Sequence, residues 1–394
     1  MNSSKWAGLI ALAVALLFLV AERIAVMQTR RRFKLVIHVN GTRGKSTVTR
    51  MIHALLREAG YAAWGKVTGT EPRLLLEDGT ERLIRRIGPA NVREQRNMLL
   101  KAATSGVDAL VFECNAVRPE LQLASASYLD ADILVITNAR LDHRLEQGTA
   151  ADAAQAFAAT IPPGGTVVSS DAEHRSLWEE TAKGRGARLV FVDPAEGEGL
   201  GDMPENMACA LGVADSLGLS RERAAAALSS YSRDPGAFSE LSWPCGGGRT
   251  RFLDASAANE PDSTDRLARL GYARAGTDAV AAAHRVLVVA TRADRPDRSM
   301  QFAEYAAKAC LPGGLYDEAA FLGPVQLAVR AVLKRSGIHC SFLRKPAELD
   351  AEPGCIIVAA GNRGGHGKLL HDWATAKAGM ASASAGTEIR GGSK

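Results

Sequence analysis

The chain has 394 residues, of which 46% are hydrophobic and 23% are charged, and its formal net charge is +5. This length exceeds that of one ordinary core and predicts two domains with appendages. The modest charge, without a nucleic-acid-binding motif, argues against a nucleic-acid partner. The 6 cysteines include no C-x-x-C pair, which argues against a disulfide framework or a zinc site and is typical of reduced thiols in a cytosolic domain.

Residues 1–32 differ in composition from the rest of the chain. The run from Trp6 to Ala21 is almost wholly apolar, and Arg30, Arg31 and Arg32 follow it. Such a segment is either a cleaved signal peptide or an uncleaved membrane anchor. We favour the anchor, because the phosphate-binding motif that comes next needs the cytosol and because arginines after an apolar run mark the inner side. The sequence therefore predicts a single-pass protein of the cell membrane whose catalytic domains are cytoplasmic.

A phosphate-binding loop follows the first predicted strand, Leu35 to Val39. Glycines between a strand and a helix direct backbone N–H groups and the positive end of the helix dipole at one point, where an anion can bind. In this pattern a lysine reaches the outer phosphates, and Ser46 or Thr47 offers a hydroxyl to Mg²⁺. The loop is shorter than the usual Walker A loop, because Val39 occupies the place of the first glycine. The predicted nucleotide site consists of Gly41, Thr42, Arg43, Gly44, Lys45, Ser46 and Thr47.

Short apolar runs alternate with helical patterns along the rest of the chain. This alternation predicts an α/β fold with a mostly parallel sheet in an ATP-binding domain over residues 33–245. The predicted strands are Leu35–Val39, Ala109–Glu113, Ile133–Asn138, Thr166–Ser169 and Leu189–Asp193, followed by a helical stretch over Glu205–Ser230. A Pro- and Gly-rich break at 244–248 predicts a boundary, after which residues 246–378 form a smaller α/β domain and residues 379–394 a disordered tail. The strands predicted in the second domain are Arg251–Asp254, Arg285–Thr291, Ala319–Leu322 and Cys355–Gly361.

Polar residues at strand ends are the candidates for metal binding. Glu113 and Asn138 each close a predicted strand, and Asp142 and His143 follow shortly after. Parallel sheets bind ligands at the carboxyl ends of their strands, so a carboxylate there is a natural ligand for Mg²⁺ beside a phosphate. The alternative for Glu113 is a solvated carboxylate, and a lone histidine such as His143 is more often structural than a ligand.

Two charged runs have two interpretations each. Arginines 82, 85, 86, 93 and 96 either recognise a carboxylate-rich substrate or form a solvated basic face. The run from Thr291 to Arg298 closes and follows a strong strand, and its ionic groups either belong to a ligand site or serve as ion-pair scaffolding.

Several of these motifs together resemble a known family. The chain is similar to the ATP-dependent amide ligase subunit of poly-γ-glutamate synthase, the capsule-synthesis ligase family, which is related to Mur ligases and folylpolyglutamate synthases. The resemblance spans about Leu35 to Trp373. It rests on residues 40–50, 65–70, 88–91, 113–117, 142–143, 234–237, 257–259 and 292–298.

The resemblance implies a reaction and roles for residues at the matching positions. ATP would phosphorylate a glutamate carboxylate, and an amine would then attack the acyl phosphate to form a γ-linked amide. Lys45, Glu113 and His143 would be catalytic, with Glu113 and His143 as magnesium ligands, and Asn206 would lie near the adenine. The implied partners are glutamate, the growing poly-γ-glutamate and small membrane subunits of a synthase complex.

The chain departs from Mur ligases at two points. No lysine occurs in the stretch 156–159, where many Mur ligases carry a carbamylated lysine, and Gly236-Ala237 stands in place of their Gly-Arg. Both departures match the capsule-type ligases. Two alternatives remain: a P-loop ATPase that powers polymer assembly or export, and a Mur- or folylpolyglutamate-type ligase with another acceptor.

Overall fold

The structure, a computed structural model, describes most of the chain. The described residues are 3–69, 71–86, 88, 90–140, 148–199, 202–234, 237–246, 248–256, 258, 260–281, 283–349 and 354–388. The chain divides into two compact units, Met1–Asp234 and Pro235–Lys394.

The first unit alternates strands and helices, as its sequence pattern predicts. Its helices are α1 (Ser3–Arg30), α2 (Lys45–Glu58), α3 (Arg93–Ala102), α4 (Pro119–Leu129), α5 (Ala150–Ala158), α6 (Arg175–Gly184), α7 (Pro204–Ser216) and α8 (Arg221–Ser229). Its strands are β1 (Leu35–Asn40), β2 (Ala63–Val67), β3 (Arg73–Leu75), β4 (Glu81–Leu83), β5 (Ala109–Glu113), β6 (Ile133–Ile136), β7 (Thr166–Ser169) and β8 (Arg188–Phe191).

The described strands of this unit form one mixed sheet in the order β4-β3-β2-β5-β1-β6-β7-β8. From β2 to β8 each neighbouring pair is parallel, and β3 and β4 add an antiparallel edge. Strand β1 lies between β5 and β6, with Val39 beside Glu113 and Asn40 beside Ile136. The carboxyl ends of these three strands therefore meet at one edge of the sheet, where parallel α/β folds bind ligands.

Helix α2 packs against this sheet because its apolar residues recur at helical spacing. Val48, Ile52 and Leu56 are fully buried and join the strand residues Ile37 and Val39 in one core cluster. The helix ends at Glu58, before Gly60, whose φ of 89° is the left-handed conformation that glycine accepts most readily.

Helix α1 has two parts with different surroundings. Its segment Gly8–Arg30 is long and apolar enough to cross a membrane, by length and composition alone. The end of the helix contacts the sheet domain: Val26 is buried, and Arg30 forms an ion pair of 2.7 Å with Asp132 and donates a 2.8 Å hydrogen bond to the Asp130 carbonyl. The apolar helix is thus held against the sheet domain by its last nine residues, which begin at Glu22.

The second unit contains a smaller α/β sheet. Its strands are β9 (Ser239–Cys245), β10 (Gly248–Asp254), β11 (Arg285–Ala290), β12 (Glu318–Leu322), β13 (Cys340–Leu343) and β14 (Ile356–Gly361). Its helices are α9 (Pro261–Ala275), α10 (Thr277–Ala281), α11 (Pro296–Ala309), α12 (Leu327–Ser336) and α13 (His366–Glu388). The described strands pair in the order β13-β12-β11-β14-β10-β9, and only the β9–β10 pair among them is antiparallel.

The structure differs from the predicted organisation in three places. The break at 244–248 is the turn of a hairpin, in which Cys245 pairs with Gly248, so β9 belongs to the second sheet and the units divide earlier, after Asp234. The predicted helical stretch 205–230 is two helices, α7 and α8. Helix α13 continues to Glu388 through the predicted disordered tail, because its alanines favour helix, and residues 389–394 lie outside the described part.

We expect the first unit to lose stability in mild acid because two histidines are buried in it. Burial lowers the pKa of His38 from 6.5 to about 3 and that of His53 to about 4. Between those values and 6.5 the unfolded chain binds more protons than the folded one, so stability falls as the pH drops below 6.5. Each histidine contributes about 1.4 kcal/mol per pH unit in that window. Urea unfolding near neutral pH and in mild acid should show a smaller acid loss for His53→Gln than for the wild type, and equal losses would contradict the assignment.

Candidate nucleotide and metal site

The loop between β1 and α2 is shaped by two glycines. Gly41 has φ of 125° and Gly44 has φ of 81°, conformations that other residues adopt only with strain. A Cβ on Gly41 would overlap the Thr137 hydroxyl, and one on Gly44 would overlap the Asn206 amide. The backbone of the loop therefore lies directly against β6 and α7, as the glycine pattern predicts for a phosphate loop.

The first turn of α2 is available to an anion. Its N-cap is Gly44, which provides no side-chain cap, and the first turn contains no acidic residue. Backbone N–H groups at such a helix end attract negative charge through the helix dipole. This end of α2 opens at the carboxyl edge of the sheet.

Thr137 and Asn138, which directly follow β6, hold the loop in place. The Thr137 hydroxyl donates a 2.6 Å hydrogen bond to the Arg43 carbonyl, and the Asn138 amide donates to the same carbonyl at 3.1 Å. The Asn138 side-chain oxygen accepts from the Arg43 N–H at 3.1 Å, and the Asn138 carbonyl accepts from the Thr42 N–H at 2.8 Å. This frame fixes the loop before any ligand binds.

Lys45 lies over the loop that precedes it. Its Nζ donates to the carbonyls of Gly41 at 2.7 Å and Thr42 at 3.0 Å. A phosphate placed in the loop would offer the ammonium group a charge-assisted hydrogen bond, which is stronger than one to a neutral carbonyl.

Glu113 lies at the end of β5 beside the start of α2. It is 3% exposed, so the alternative of a solvated strand-end carboxylate is wrong. Its Oε2 accepts hydrogen bonds from the Ser46 hydroxyl at 2.9 Å and from the Thr68 N–H at 2.6 Å. Of the two hydroxyls predicted as metal ligands, Ser46 is thus next to the carboxylate, and the Thr47 hydroxyl makes no hydrogen bond to a described residue.

A buried polar cluster contacts the backbone of Glu113. The fully buried Lys66 of β2 forms an ion pair of 2.9 Å with Glu94 and donates to the Gln95 side-chain oxygen at 3.1 Å. Gln95 in turn donates a 2.7 Å hydrogen bond to the Glu113 carbonyl. Burial lowers the pKa of Lys66 from 10.5, and the Glu94 carboxylate opposes that shift. No local sequence signal marks Lys66 and Gln95 as site residues, because only the pairing of β2 with β5 brings them to Glu113.

Two other predicted site residues have different outcomes. Asn206 on α7 is 7% exposed, and its amide lies against Gly44 and donates to Asp202 at 3.2 Å, so it packs against the glycine loop between β1 and α2. Its predicted position near an adenine stays a prediction. His143, with Asp142, lies outside the described residues.

We predict that Gly44→Ala disrupts the loop far more than Gly60→Ala. Both glycines have positive φ, but a Cβ on Gly60 would meet open space, whereas one on Gly44 would overlap Asn206. Gly60→Ala should cost about 1 kcal/mol of stability and leave ATP affinity unchanged. Gly44→Ala should weaken ATP binding at least tenfold, about 1.4 kcal/mol. Isothermal titration of both variants tests this, and equal affinities would show that the loop does not contact the nucleotide.

Comparisons with known proteins identify the family. Residues 39–203 match the Mur ligase middle domain, and residues 244–376 match the poly-gamma-glutamate synthase CapB C-terminal domain. PGA synthase CapB of Bacillus subtilis (strain 168) is 34% identical over 313 residues, which cover 76% of this chain and 78% of that protein. The chain belongs to the PGA synthase CapB family.

Two further relatives agree with this assignment. The capsule biosynthesis protein CapB of Bacillus anthracis is 33% identical over 287 residues, covering 68% of this chain and 59% of that protein. The folylpolyglutamate synthase/dihydrofolate synthase of Yersinia pestis CO92, complexed with AMPPNP and Mn ion, has a TM-score of 0.59 at 17% identity, covering 90% of this chain and 91% of that one. At this identity the structural likeness shows the fold: the predicted Mur-ligase-like α/β architecture is confirmed.

Proposed function

We propose that this protein is an ATP-dependent amide ligase that forms the γ-glutamyl bonds of poly-γ-glutamate and releases ADP and phosphate. The observation that carries the proposal is the contact between Ser46 and Glu113 beside a glycine-shaped loop, in a chain of the CapB family. This arrangement supports a phosphate cradle and oxygen ligands for a metal at one point of the sheet.

The residues of this site fit ATP and a divalent cation. The loop has no room for a Cβ at Gly41 or Gly44, and the uncapped start of α2 suits phosphate oxygens. The Ser46 hydroxyl and the Glu113 carboxylate are the hard oxygen ligands that Mg²⁺ prefers, and His143 is the third proposed ligand. The AMPPNP and Mn ion bound to the Yersinia pestis relative support a nucleotide and a divalent metal in this fold.

The chemistry requires two steps, because a carboxylate is a poor electrophile. A glutamate carboxylate oxygen attacks the terminal phosphorus of ATP, the bond to ADP breaks, and an acyl phosphate forms. An amine nitrogen then attacks the acyl carbon, phosphate leaves, and the nitrogen loses a proton. Lys45 and the N–H groups of the α2 terminus would offset the negative charge that develops on the transferred group, and the metal would add Lewis-acid stabilisation.

The proposed setting is the inner face of the cell membrane. Helix α1 would span the bilayer, and the arginines that follow it would keep the sheet domains in the cytoplasm. Small membrane subunits of a synthase complex are the proposed partners, with glutamate and the growing polymer as substrates. Asn206 is proposed to contribute to the nucleotide site.

Full-length protein supplied with ATP, Mg²⁺ and labelled glutamate or oligo-γ-glutamate tests the ligase reaction. We expect ADP release matched by labelled amide product, with added membrane subunits raising the yield. ATP hydrolysis without amide product in every subunit combination would contradict the ligase and favour the alternative of an ATPase that powers assembly.

A further inference from the structure

Three exposed arginines lie at the carboxyl edge of the first sheet. Arg85 follows β4, Arg93 begins α3, and Arg118 immediately precedes α4. Strands β2 and β4 both run antiparallel to β3, and β2 is parallel to β5. The segments that carry the three arginines therefore leave the sheet at the edge that holds Glu113. We call Arg85, Arg93 and Arg118 the arginine rim.

Hydrogen bonds hold these segments together next to the metal site. Arg86 forms a two-pronged contact of 2.7 and 2.9 Å with Glu94, which fixes the segment after β4 to α3. The Asn115 amide donates a 3.0 Å hydrogen bond to the Asn91 carbonyl, which fixes the loop after β5 to the start of α3. The rim is thus one local patch that adjoins the end of β5.

Among the described residues, the rim differs from Arg86 and Arg96 of the basic run in having no carboxylate partner. Arg86 is paired with Glu94, and Arg96 is paired with Glu22 of α1. Within the part of the chain that the structure describes, no carboxylate forms an ion pair with a rim arginine. Clustered positive charges without counter-ions attract anions and raise their local concentration.

The amino termini of α3 and α4 lie at the rim and also favour an anion there. Arg93 occupies the first position of α3, and Arg118 is the N-cap of α4 without a side-chain capping hydrogen bond. A cation at the positive end of a helix dipole is unfavourable for the fold alone. A bound anion would offset the repulsion between each arginine and the positive end of its helix.

We propose that the arginine rim binds the carboxylates of the growing poly-γ-glutamate chain and guides it along the edge of the sheet to the reaction centre. A polymer with one free carboxylate per residue offers the planar, two-oxygen partners that guanidinium groups bind best. This inference rests on the proposed function, because it names the surface that holds the polymer of that reaction. For Arg85 and Arg93 of the basic run, it favours substrate recognition over a solvated basic face.

Direct binding tests the rim apart from catalysis. Full-length protein in nanodiscs of uncharged lipid is titrated with fluorescent oligo-γ-glutamate, without ATP, and binding is read by anisotropy. The variant Arg85→Gln/Arg93→Gln/Arg118→Gln should bind about tenfold more weakly than the wild type, since each exposed charge pair contributes roughly a factor of two. In turnover assays its KM for long acceptors should rise while its kcat at saturating acceptor and its ATP affinity stay unchanged.

A matched variant controls for the loss of charge. Lys101→Gln/Lys183→Gln/Arg188→Gln removes the same number of exposed charges from the amino edge of the sheet, and it should bind the oligomer as the wild type does. Equal weakening in both variants, or full binding by the rim variant, would overturn the proposal. Failure of the wild type to bind the oligomer would also overturn it, whereas the labelled-glutamate assay would still test the ligase reaction separately.

Discussion

Lys45→Ala should abolish ATP-dependent turnover while the protein stays folded. The ammonium group donates to two carbonyls of the loop that it would share with the phosphates, so its removal takes away the charge that stabilises the transferred phosphoryl group. Loss of one such preorganised donor lowers kcat by about a thousandfold. The measurement is ADP release by the purified full-length variant at saturating ATP and glutamate.

The matched control for this variant is Lys34→Ala. Lys34 is an exposed lysine that forms an ion pair of 2.8 Å with Asp108 at the opposite edge of the sheet. Its removal should leave turnover unchanged, because exposed ion pairs contribute about 1 kcal/mol or less to stability. Wild-type turnover in Lys45→Ala would remove the central site assignment.

Glu113→Gln should also lower turnover strongly, in this case because it weakens binding of the proposed metal ion. Glutamine keeps the length of the side chain and one oxygen that can accept from the Thr68 N–H, but it removes the negative charge proposed to bind Mg²⁺. We expect turnover to fall more than about a hundredfold, with a higher metal concentration needed for half-maximal rate. Titration of activity with Mg²⁺ and with Mn²⁺ measures both effects.

A second variant at the same candidate site separates an effect on metal binding from an effect on folding. Ser46→Ala removes the hydroxyl that contacts Glu113 and should raise the metal requirement without a change in thermal midpoint. If Glu113→Gln lowered turnover with an unchanged metal dependence, Glu113 would act by a route other than metal binding.

The centre of the site could be predicted because its signals are local in sequence. The glycines, Lys45 and Ser46 lie in one strand–loop–helix segment, and Glu113 closes a strand whose direction follows from the α/β alternation. The residues that support the loop and Glu113 could not be predicted in this way. Lys66, Gln95 and Thr137 come from three separate segments, and only strand order and side-chain packing bring them to the loop and to Glu113.

The fold shows the same division between local and long-range information. The long apolar strands β1, β5 and β11 are where the sequence predicts them. The sequence does not predict the short edge strands β3 and β4, since three residues are too few to show a clear period. The sequence predicts a domain boundary at the hairpin between β9 and β10, because Pro244 and the glycines after it are as typical of a linker as of a turn.

Positional isotope exchange tests most directly whether this site transfers a phosphoryl group from ATP to a carboxylate. ATP labelled with ¹⁸O in the bridge between its outer phosphates is incubated with the full-length protein, Mg²⁺ and oligo-γ-glutamate, with no amine acceptor that can complete the reaction. We predict that the label moves from the bridge to a non-bridging position of the β-phosphate, and only when the carboxylate substrate is present. Retention of all label in the bridge, with ATP bound and the amide product still formed on addition of amine, would contradict the acyl phosphate route.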